Sequence, residues 1–250
     1  MKITFIGSGN IAQQLAPAFK KRGFTVQEIC SRNVSTGNAL AKRIRAFYSN
    51  DISKIKNTDV IIIAVKDDAI SEVVKKLPVQ KNCLVIHTSG ATDISVLKKK
   101  FKNCGVFWQI QTIKARTIID FKKVPLVIEA SNLSSEKKIK QLAHSLSNKV
   151  HVFTSRQRRI LHLSAAISNN FVNHFYVLAE NILKHYRLPY ELLGPMILST
   201  AQSGIKDPQA SQTGPAKRND KKTMKAHLQL LPKKYRPLYR MVSKSIIESV

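Results

Sequence analysis

Short apolar segments alternate with amphipathic segments over the first 153 residues of the chain. The apolar segments are short, and glycine or polar residues follow most of them, which is typical of strands rather than of buried helices. The predicted strands are residues 1–6, 24–30, 59–65, 83–87, 106–108, 125–129 and 150–153. The predicted helices are residues 10–22, 36–47, 70–77 and 135–147. This alternation predicts an α/β fold with a doubly wound parallel sheet.

The pattern changes after Phe153, where the strand signals stop and only helical periodicity remains. Helices are predicted at residues 156–185, 190–203, 221–231 and 237–249, with a polar loop at 207–220. We therefore expect two domains, with a boundary near Thr154. The first covers residues 1–154 and the second, an all-helical C-terminal domain, covers residues 155–250.

Net charge is the feature that composition adds to this picture. The chain holds 42 Lys and Arg against 15 Asp and Glu, a formal net charge of +27, which first points to nucleic acid or an anionic membrane. However, residues 1–154 hold 26 basic and 10 acidic residues, and residues 155–250 hold 16 and 5, so the excess is spread almost evenly. A nucleic-acid partner is therefore not favoured. One local excess remains, because residues 217–244 hold ten basic residues against Asp220 alone.

Segment lengths and residue spacings exclude other classes of protein. No apolar run approaches the roughly 20 residues that cross a bilayer, and no secretory signal pattern is present, so no membrane association is expected. Cys30, Cys83 and Cys104 are odd in number and lack metal-type spacing, so we expect reduced thiols and a cytoplasmic location. The His residues are not spaced with Cys or carboxylates as ligands, so no metal site is expected.

A glycine-rich turn, Gly7-Ser8-Gly9-Asn10-Ile11-Ala12, joins the first predicted strand to the first helix. In such turns the first glycine permits the tight bend, the second lets the backbone approach a pyrophosphate, and a small third residue lets the helix pack closely. The helix N-terminus offers free N–H groups and a positive dipole to the phosphates. The context predicts a Rossmann-type dinucleotide-binding domain; the alternative is a turn with no ligand.

The end of the second strand distinguishes NAD from NADP. NAD sites place Asp or Glu there for the ribose 2′-OH. This chain has Ser31 and Arg32 instead, and Glu28 comes too early in the strand. A hydroxyl and a guanidinium suit a 2′-phosphate, so NADP(H) is the expected cofactor. The alternative is that Arg32 is one more solvated cation.

Seven further motifs extend over the rest of the chain, at residues 64–70, 87–91, 111–112, 128–131, 162–166, 169–174 and 212–220. Together with the glycine-rich turn they resemble a family of two-domain bacterial NADP oxidoreductases, which pair a Rossmann-like domain with a helical one. More distantly, the architecture is similar to that of pyrroline-5-carboxylate reductase, prephenate dehydrogenase and NADP-dependent deazaflavin oxidoreductases. The resemblance implies a cofactor contact at Val65 and substrate contacts at Gln111 and Thr112. Thr88 and Ser89 follow a strand end, where doubly wound folds bind ligands, so we expect them beside the nicotinamide; the alternative is that Ser89 and Gly90 form only a strand-end turn. The helical domain is expected to supply a homodimer interface.

The chain departs from the family pattern at two places. Gln109 stands where family members usually carry proline. Related hydroxyacid dehydrogenases carry a catalytic Lys and Asn four residues apart, whereas the corresponding pair here is Asn169 and Asn173. The mechanism of those dehydrogenases therefore does not transfer directly.

Hydride transfer to a C=O or C=N bond needs a proton source for the heteroatom. His87, at a strand end where doubly wound folds bind ligands, and His162, on the long helix, are the candidate acids. Asn169 and Asn173 share one face of a regular helix with His162, and they are candidates to hold a carboxylate or carbonyl. The alternatives are a packing role for His162 and hydrogen bonds to a neighbouring loop for the two asparagines.

The polar segment 212–220 lies between helices, and its Gly and Pro set an irregular backbone path. Gln212, Thr213 and Arg218 are candidate substrate contacts, with Arg218 as a bidentate clamp for a carboxylate. The alternative is a capping loop in which Asp220 caps the helix beginning at Lys221.

Three functions follow from these observations. The first is an NADP-dependent oxidoreductase that acts on a small, anionic molecule. The second is a non-catalytic NADP(H)-binding regulatory protein, which stays open because no obvious Lys or Tyr acid is present. The third, a basic nucleic-acid binder, lacks any recognised motif.

Overall fold

The computed structural model describes residues 1–113 and 119–249. The chain divides into two compact units, Met1–Ala166 and Ile167–Val250. The division falls about one helix later than the position near Thr154 that the loss of strand signals indicated. The reason is that the helix following Thr154 packs within the first unit, through the buried side chains of Ser155 and Arg158.

The first unit contains an eight-stranded sheet with the strand order β3-β2-β1-β4-β5-β6-β7-β8. The strands are β1 Lys2–Ile6, β2 Thr25–Cys30, β3 Phe47–Ser49, β4 Val60–Ile63, β5 Leu84–His87, β6 Cys104–Gln109, β7 Leu126–Ala130 and β8 Val150–Val152. The pairs are parallel except β6 with β7, which run antiparallel and place Glu129 opposite Val106. The predicted α/β fold and doubly wound sheet are confirmed, with one antiparallel pair that the prediction did not contain.

Helices cover both faces of the sheet. In the first unit they are α1 Asn10–Lys21, α2 Val34–Ile44, α3 Ile70–Lys76, α4 Ser95–Lys98, α5 Leu133–Leu146 and α6 Ser155–Ala165. Val60 and Ile62 of β4 pack into the core on the side of α1, α2 and α5, and Ile61 and Ile63 into the core on the side of α3 and α4. The nearly continuous apolar run of β4 is therefore explained by burial on both faces.

One strand was missed by the sequence pattern. The predicted helix 36–47 ends at Ile44, because Arg45 takes a left-handed conformation with φ 52°. The next residues turn back, and Phe47–Ser49 pairs with β2 at the edge of the sheet. A helix usually ends on glycine in this conformation, so an arginine there gives no sequence signal for the turn.

The second unit is helical over its described residues, as predicted. Its helices are α7 Val172–His185, α8 Gly194–Lys206, α9 Lys221–Leu230 and α10 Arg236–Glu248. None of these four helices has a buried residue, and Ala216 is the only buried residue among residues 167–249. An apolar core of the usual kind is therefore missing from the described part of this unit.

The predicted long helix 156–185 contains a π-helical turn at Ala166–Phe171. A π turn uses i→i+5 hydrogen bonds, so it shifts the angular phase of every residue that follows it. The helix is therefore not regular between His162 and Asn173, and a shared face for His162, Asn169 and Asn173 no longer follows from their spacing alone.

No helix of the described residues is long and apolar enough to cross a membrane. Cys30, Cys83 and Cys104 are buried, unpaired thiols. Burial raises the pKa of Cys30 and of Cys83 to about 11, so both are protonated at neutral pH.

Candidate active site

The two glycines of the first turn serve different purposes. Gly7 has φ +105°, and a Cβ at this position would collide with the carbonyl group of Ala64 at the end of β4. Its N–H donates to the carbonyl of Cys30 at 2.8 Å. The fold itself therefore requires glycine at position 7. A Cβ at Gly9, by contrast, would meet nothing within 4 Å, so the described structure gives no internal reason for glycine there.

The N-terminus of α1 is open to an anion. Gly9 is its N-cap and offers no side-chain acceptor, and the first turn carries no acidic residue. Ala12 is fully buried, which lets the helix approach the sheet closely. Uncapped N–H groups at the positive end of a helix dipole are a general phosphate site. The open space at Gly9 and these N–H groups fit a dinucleotide pyrophosphate.

The first residue of α1 also holds a later loop beside the turn. The Asn10 side chain donates from Nδ2 to the carbonyl of Ile113 at 3.2 Å. Gln111 and Thr112 immediately precede Ile113 and are exposed. The structure therefore brings these two predicted substrate residues close to the predicted cofactor turn. Gln109, which replaces the family proline, remains the buried last residue of β6.

Three hydroxyl groups meet where β2 ends. The Ser8 Oγ lies 2.8 Å from Ser31 Oγ and 2.6 Å from Thr36 Oγ1. Arg32 is exposed beside them, immediately before Asn33, the N-cap of α2. The first turn of α2 has no acidic residue. Hydroxyls, a guanidinium and a helix N-terminus together suit a 2′-phosphate.

Glu28 is engaged inside the sheet. Its side chain is buried, and its Oε2 accepts a hydrogen bond from the Lys56 N–H at 3.1 Å. Burial raises the pKa of Glu28, partly offset by this hydrogen bond and the charge of Lys56. A carboxylate held in this way does not serve a ribose hydroxyl at the strand end.

His87, the last residue of β5, is fully buried. Its Nδ1 accepts a hydrogen bond from the Ser89 N–H at 3.2 Å. Burial, helped by the positive charge of Arg158, lowers the pKa of His87 to about 3, so the ring is neutral at pH 7. Because Nδ1 accepts, the single proton of the neutral ring is on Nε2, which is buried without a hydrogen-bond partner among the described residues. A neutral imidazole is a far weaker acid than an imidazolium. These surroundings are those of a packed strand residue and give no support to the predicted catalytic role.

His162 of α6 lies directly on the turn that follows β5. A Cβ at Gly90 would lie 2.5 Å from Cδ2 of His162 and 2.6 Å from Cε2 of Trp108. The His162 and Trp108 rings are 5.6 Å apart between centroids. His162 is half-buried. The structure therefore places this candidate acid at a strand end where doubly wound folds bind their ligands.

The turn under His162 is tightly held by its own residues. The Ser89 Oγ accepts hydrogen bonds from the N–H groups of Ala91 at 3.2 Å and Thr92 at 2.9 Å. Thr88 donates from Oγ1 to the carbonyl of Ile63 at 3.4 Å. Val65, half-buried after β4, lies beside Gly7. The predicted cofactor residues Val65, Thr88 and Ser89 thus lie at the ends of two adjacent strands.

Arg158 is a residue of this site that the sequence analysis missed. It lies one turn before His162 on α6 and is fully buried. It donates to Oε2 of Glu129 at 3.0 Å and to the carbonyl of Gly90 at 2.9 Å. The sequence did contain one signal for this residue. Arg158 lies three residues before Leu161, which packs on the core, so a charged residue falls on the apolar face of the helix.

The other predicted site residues belong to the second unit. Asn169 lies in the π turn and Asn173 in α7, and both are exposed. Asn169 donates from Nδ2 to Oδ1 of Asn170 at 3.4 Å. Their roles toward a substrate stay predictions.

The loop 212–220 has the capping geometry that was its alternative. Asp220 accepts hydrogen bonds from the Thr223 N–H at 3.0 Å and the Thr223 hydroxyl at 2.7 Å, and so caps α9. Gln212 donates from Nε2 to the carbonyl of Thr213 at 3.0 Å, and Arg218 is exposed. The capping role of Asp220 is therefore confirmed, while substrate contacts by Gln212, Thr213 and Arg218 stay predictions.

Two family models match the chain. Residues 2–90 match the model described as NADP oxidoreductase, coenzyme F420-dependent. Residues 124–246 match a domain of unknown function, DUF2520. No curated protein matches the chain significantly.

Solved structures match almost its whole length. The putative NADP oxidoreductase from Bacteroides fragilis is 34% identical, with 99% of this chain and 98% of that chain covered and a TM-score of 0.89. An imine reductase from Myxococcus stipitatus in complex with NADP+ is 15% identical, with 99% and 92% covered and a TM-score of 0.71. A pyrroline-5-carboxylate reductase from Coxiella burnetii is 15% identical, with 98% and 96% covered and a TM-score of 0.59. The last two are likenesses of fold.

Substitutions of Gly7 and Gly9 should separate an effect on folding stability from an effect on cofactor binding. We expect Gly7→Ala to destabilise the protein by about 1–3 kcal/mol, because alanine is strained at this φ and collides with Ala64. Gly9→Ala should cost at most about 1 kcal/mol, the loss of a favourable N-cap residue. It should weaken NADPH binding at least tenfold, since the new methyl group would occupy the space open to the pyrophosphate.

Urea unfolding and titration of NADPH fluorescence measure the two effects. Gly204→Ala in α8 is the control, because a Cβ there also meets nothing within 4 Å. Gly9→Ala binding NADPH as tightly as the native protein would show that the turn does not face the cofactor.

Proposed function

Since the chain belongs to the family of NADP oxidoreductases that the Bacteroides fragilis protein represents, we propose that it is an enzyme that transfers a hydride between NADP(H) and a C=O or C=N bond of a small, anionic substrate. The observation that carries the proposal is the arrangement at the carboxyl ends of β1, β2 and β5. There, an uncapped helix N-terminus, a hydroxyl cluster with an exposed guanidinium, and a half-buried imidazole belong to one compact unit.

The cofactor would be held by three groups of residues. Gly7, Gly9 and the first turn of α1, with Asn10 and Ile11, would bind the pyrophosphate. Ser8, Ser31 and Arg32 would bind the 2′-phosphate. The strand ends at Val65, Thr88 and Ser89 would line the nicotinamide. When bound, the nicotinamide supplies or accepts the hydride.

His162 would exchange a proton with the heteroatom of the substrate. Two observations favour it over His87: His162 is half-buried rather than enclosed, and it lies on the strand-end turn itself. Trp108 packs against its ring and limits its orientations. Gln111 and Thr112, beside the cofactor turn, would contact the substrate.

A C=N substrate with a carboxylate is the preferred class within this proposal. Two of the proteins with the same fold are named as reductases of imines and of pyrroline-5-carboxylate. The net charge of +27 would also raise the local concentration of anionic substrates.

We also propose that the protein is a homodimer through its helical unit and resides in the cytoplasm. Unpaired, buried thiols are usual in reducing compartments. Large apolar side chains of the second unit are exposed, including Phe175, Met196 and Leu198, while α7–α10 bury no residue. A second copy of the chain would cover these side chains.

Sedimentation equilibrium is expected to give twice the chain mass of 28.1 kDa at micromolar concentration. The variant Phe175→Glu with Met196→Glu should shift the mass toward the monomer, because it places charges on the covered surface. Glu substitutions of the exposed Lys137 and Gln141 on α5 are the control. A native protein that sediments as a monomer would contradict the dimer.

The cofactor assignment predicts a specific role for Arg32. Arg32→Gln should raise the KM for NADPH by about 10- to 100-fold, the range expected when charge-assisted hydrogen bonds of about 1.5–3 kcal/mol are lost. The KM for NADH should change less than twofold, because NADH has no 2′-phosphate. Arg22→Gln, beyond the other end of α1, controls for a general change in charge. An equal rise in both KM values would place Arg32 outside the 2′-phosphate site.

The reaction class is tested by NADPH oxidation with a panel of cyclic imines and ketones, with and without a carboxylate. We expect turnover of at least one carboxylated imine, and His162→Ala should lower kcat by about 10²- to 10⁴-fold, the usual contribution of a general acid. His144→Ala on the exposed side of α5 is the control. Tight NADPH binding without turnover of any member of a broad panel would favour the regulatory protein instead.

A further inference from the structure

Arg158 connects three segments of the first unit through one guanidinium group. Its Nη1 donates to the carbonyl oxygens of Ser89 at 3.1 Å, Gly90 at 2.9 Å and Thr92 at 2.7 Å. Its Nη2 donates to Oε2 of Glu129 at 3.0 Å and to Oγ of Ser155 at 2.9 Å. The start of α6, the end of β7 and the turn after β5 are thereby held together.

This ion pair differs from the others in the described residues. The Arg158 side chain is 0% exposed and that of Glu129 is 14% exposed, whereas the side chains of the other ion pairs among the described residues are at least 29% exposed. A buried ion pair usually adds little net stability, because the desolvation of both charges offsets their attraction. The adjacent Arg159 shows the ordinary case, with an exposed contact to Asp93 at 3.8 Å.

The carbonyl groups that Arg158 binds belong to the turn on which His162 rests. Arg158 and His162 are four residues apart on α6 and therefore share a face of the helix. The His162 ring packs against the Cα of Gly90, whose carbonyl is bonded to Arg158. The position of the His162 ring at the carboxyl end of β5 therefore depends on how the Arg158 guanidinium holds the turn.

We propose that Arg158, paired with Glu129, is a positioning residue that sets the geometry between His162 and the strand-end turn Thr88–Gly90. This inference rests on the proposed function, because it concerns the residue proposed as proton donor. Because the Arg158 side chain is 0% exposed, it acts through the turn and through the helix that carries His162.

Trp108 provides a readout that does not depend on turnover. It is the only tryptophan in the sequence, and its ring packs against both His162 and Gly90. Its emission therefore reports whether the imidazole keeps its place on the indole. His162→Ala gives the reference emission for a displaced imidazole.

The first variant is Arg158→Lys, which keeps the positive charge but loses the planar fork that reaches the carbonyls and the carboxylate together. We expect Trp108 emission to shift toward that of His162→Ala and kcat to fall at least tenfold, while the KM for NADPH changes less than threefold. Arg159→Lys is the matched control and should change none of the three. Native emission and native kcat in a folded Arg158→Lys variant would overturn the proposal.

A second variant covers the case in which Arg158→Lys fails to fold. Arg158→Met combined with Glu129→Leu removes both charges, and replacing a buried pair with hydrophobic residues of similar volume is often neutral for stability. Its urea unfolding should be close to that of the native protein, but its Trp108 emission and its kcat should still change. A stable double variant with native emission would show that the pair serves stability alone.

The two proposals can fail separately. If the native protein turns over no substrate, the proposed function fails, while the Trp108 emission still decides whether Arg158 positions His162. If the native protein is active and His162→Ala is not impaired, the proton donor is wrong and the emission result remains valid.

Discussion

The burial of a guanidinium group constrains much of the first unit. A charge removed from water must be paired and hydrogen-bonded. The two Nη groups of Arg158 bond to one carboxylate, one hydroxyl and three main-chain carbonyls, while its buried Nε has no partner among the described residues. These partners lie in separate parts of the sequence, so the charge can be accommodated only when β7, α6 and the turn after β5 are all in place. The helix that carries His162 therefore belongs to the first unit, although the strand pattern ends before it.

The same guanidinium separates the two histidines chemically. Burial, together with the charge of Arg158, lowers the pKa of His87 to about 3, so that ring is neutral at pH 7. His162 lies against the turn that Arg158 holds and is half-buried. The same charge thus disfavours protonation of the strand residue and holds the turn against which the helix residue packs.

Residue spacing and polarity predicted the features of the fold that depend on short stretches of sequence. The glycine-rich turn, the Ser31–Arg32 strand end and the buried run of β4 follow from spacing and polarity, and the structure has these elements where the sequence predicts them. What the sequence missed depends on contacts between distant residues or on unusual backbone. Arg45 ends α2 without glycine, β7 reverses direction with no change in periodicity, and Arg158 finds its partner 29 residues earlier in the chain. No sequence pattern considered above predicts the π turn, which shifts the angular position of the residues that follow it.

The net charge acts over a different range from these contacts. At physiological ionic strength, interactions between exposed charges fade over about 8 Å. A total of +27 spread over both units therefore raises the concentration of anions near the whole surface but distinguishes none of them. Selection between anions requires groups at bonding distance with defined directions. In the proposed function Arg32 would meet this condition for a 2′-phosphate, because it lies beside three hydrogen-bonded hydroxyls and a helix N-terminus. The net charge would thus raise the local concentration of anions without selecting among them. Selective binding of one anion would depend on the Arg32 guanidinium, the neighbouring hydroxyl groups and the helix N-terminus.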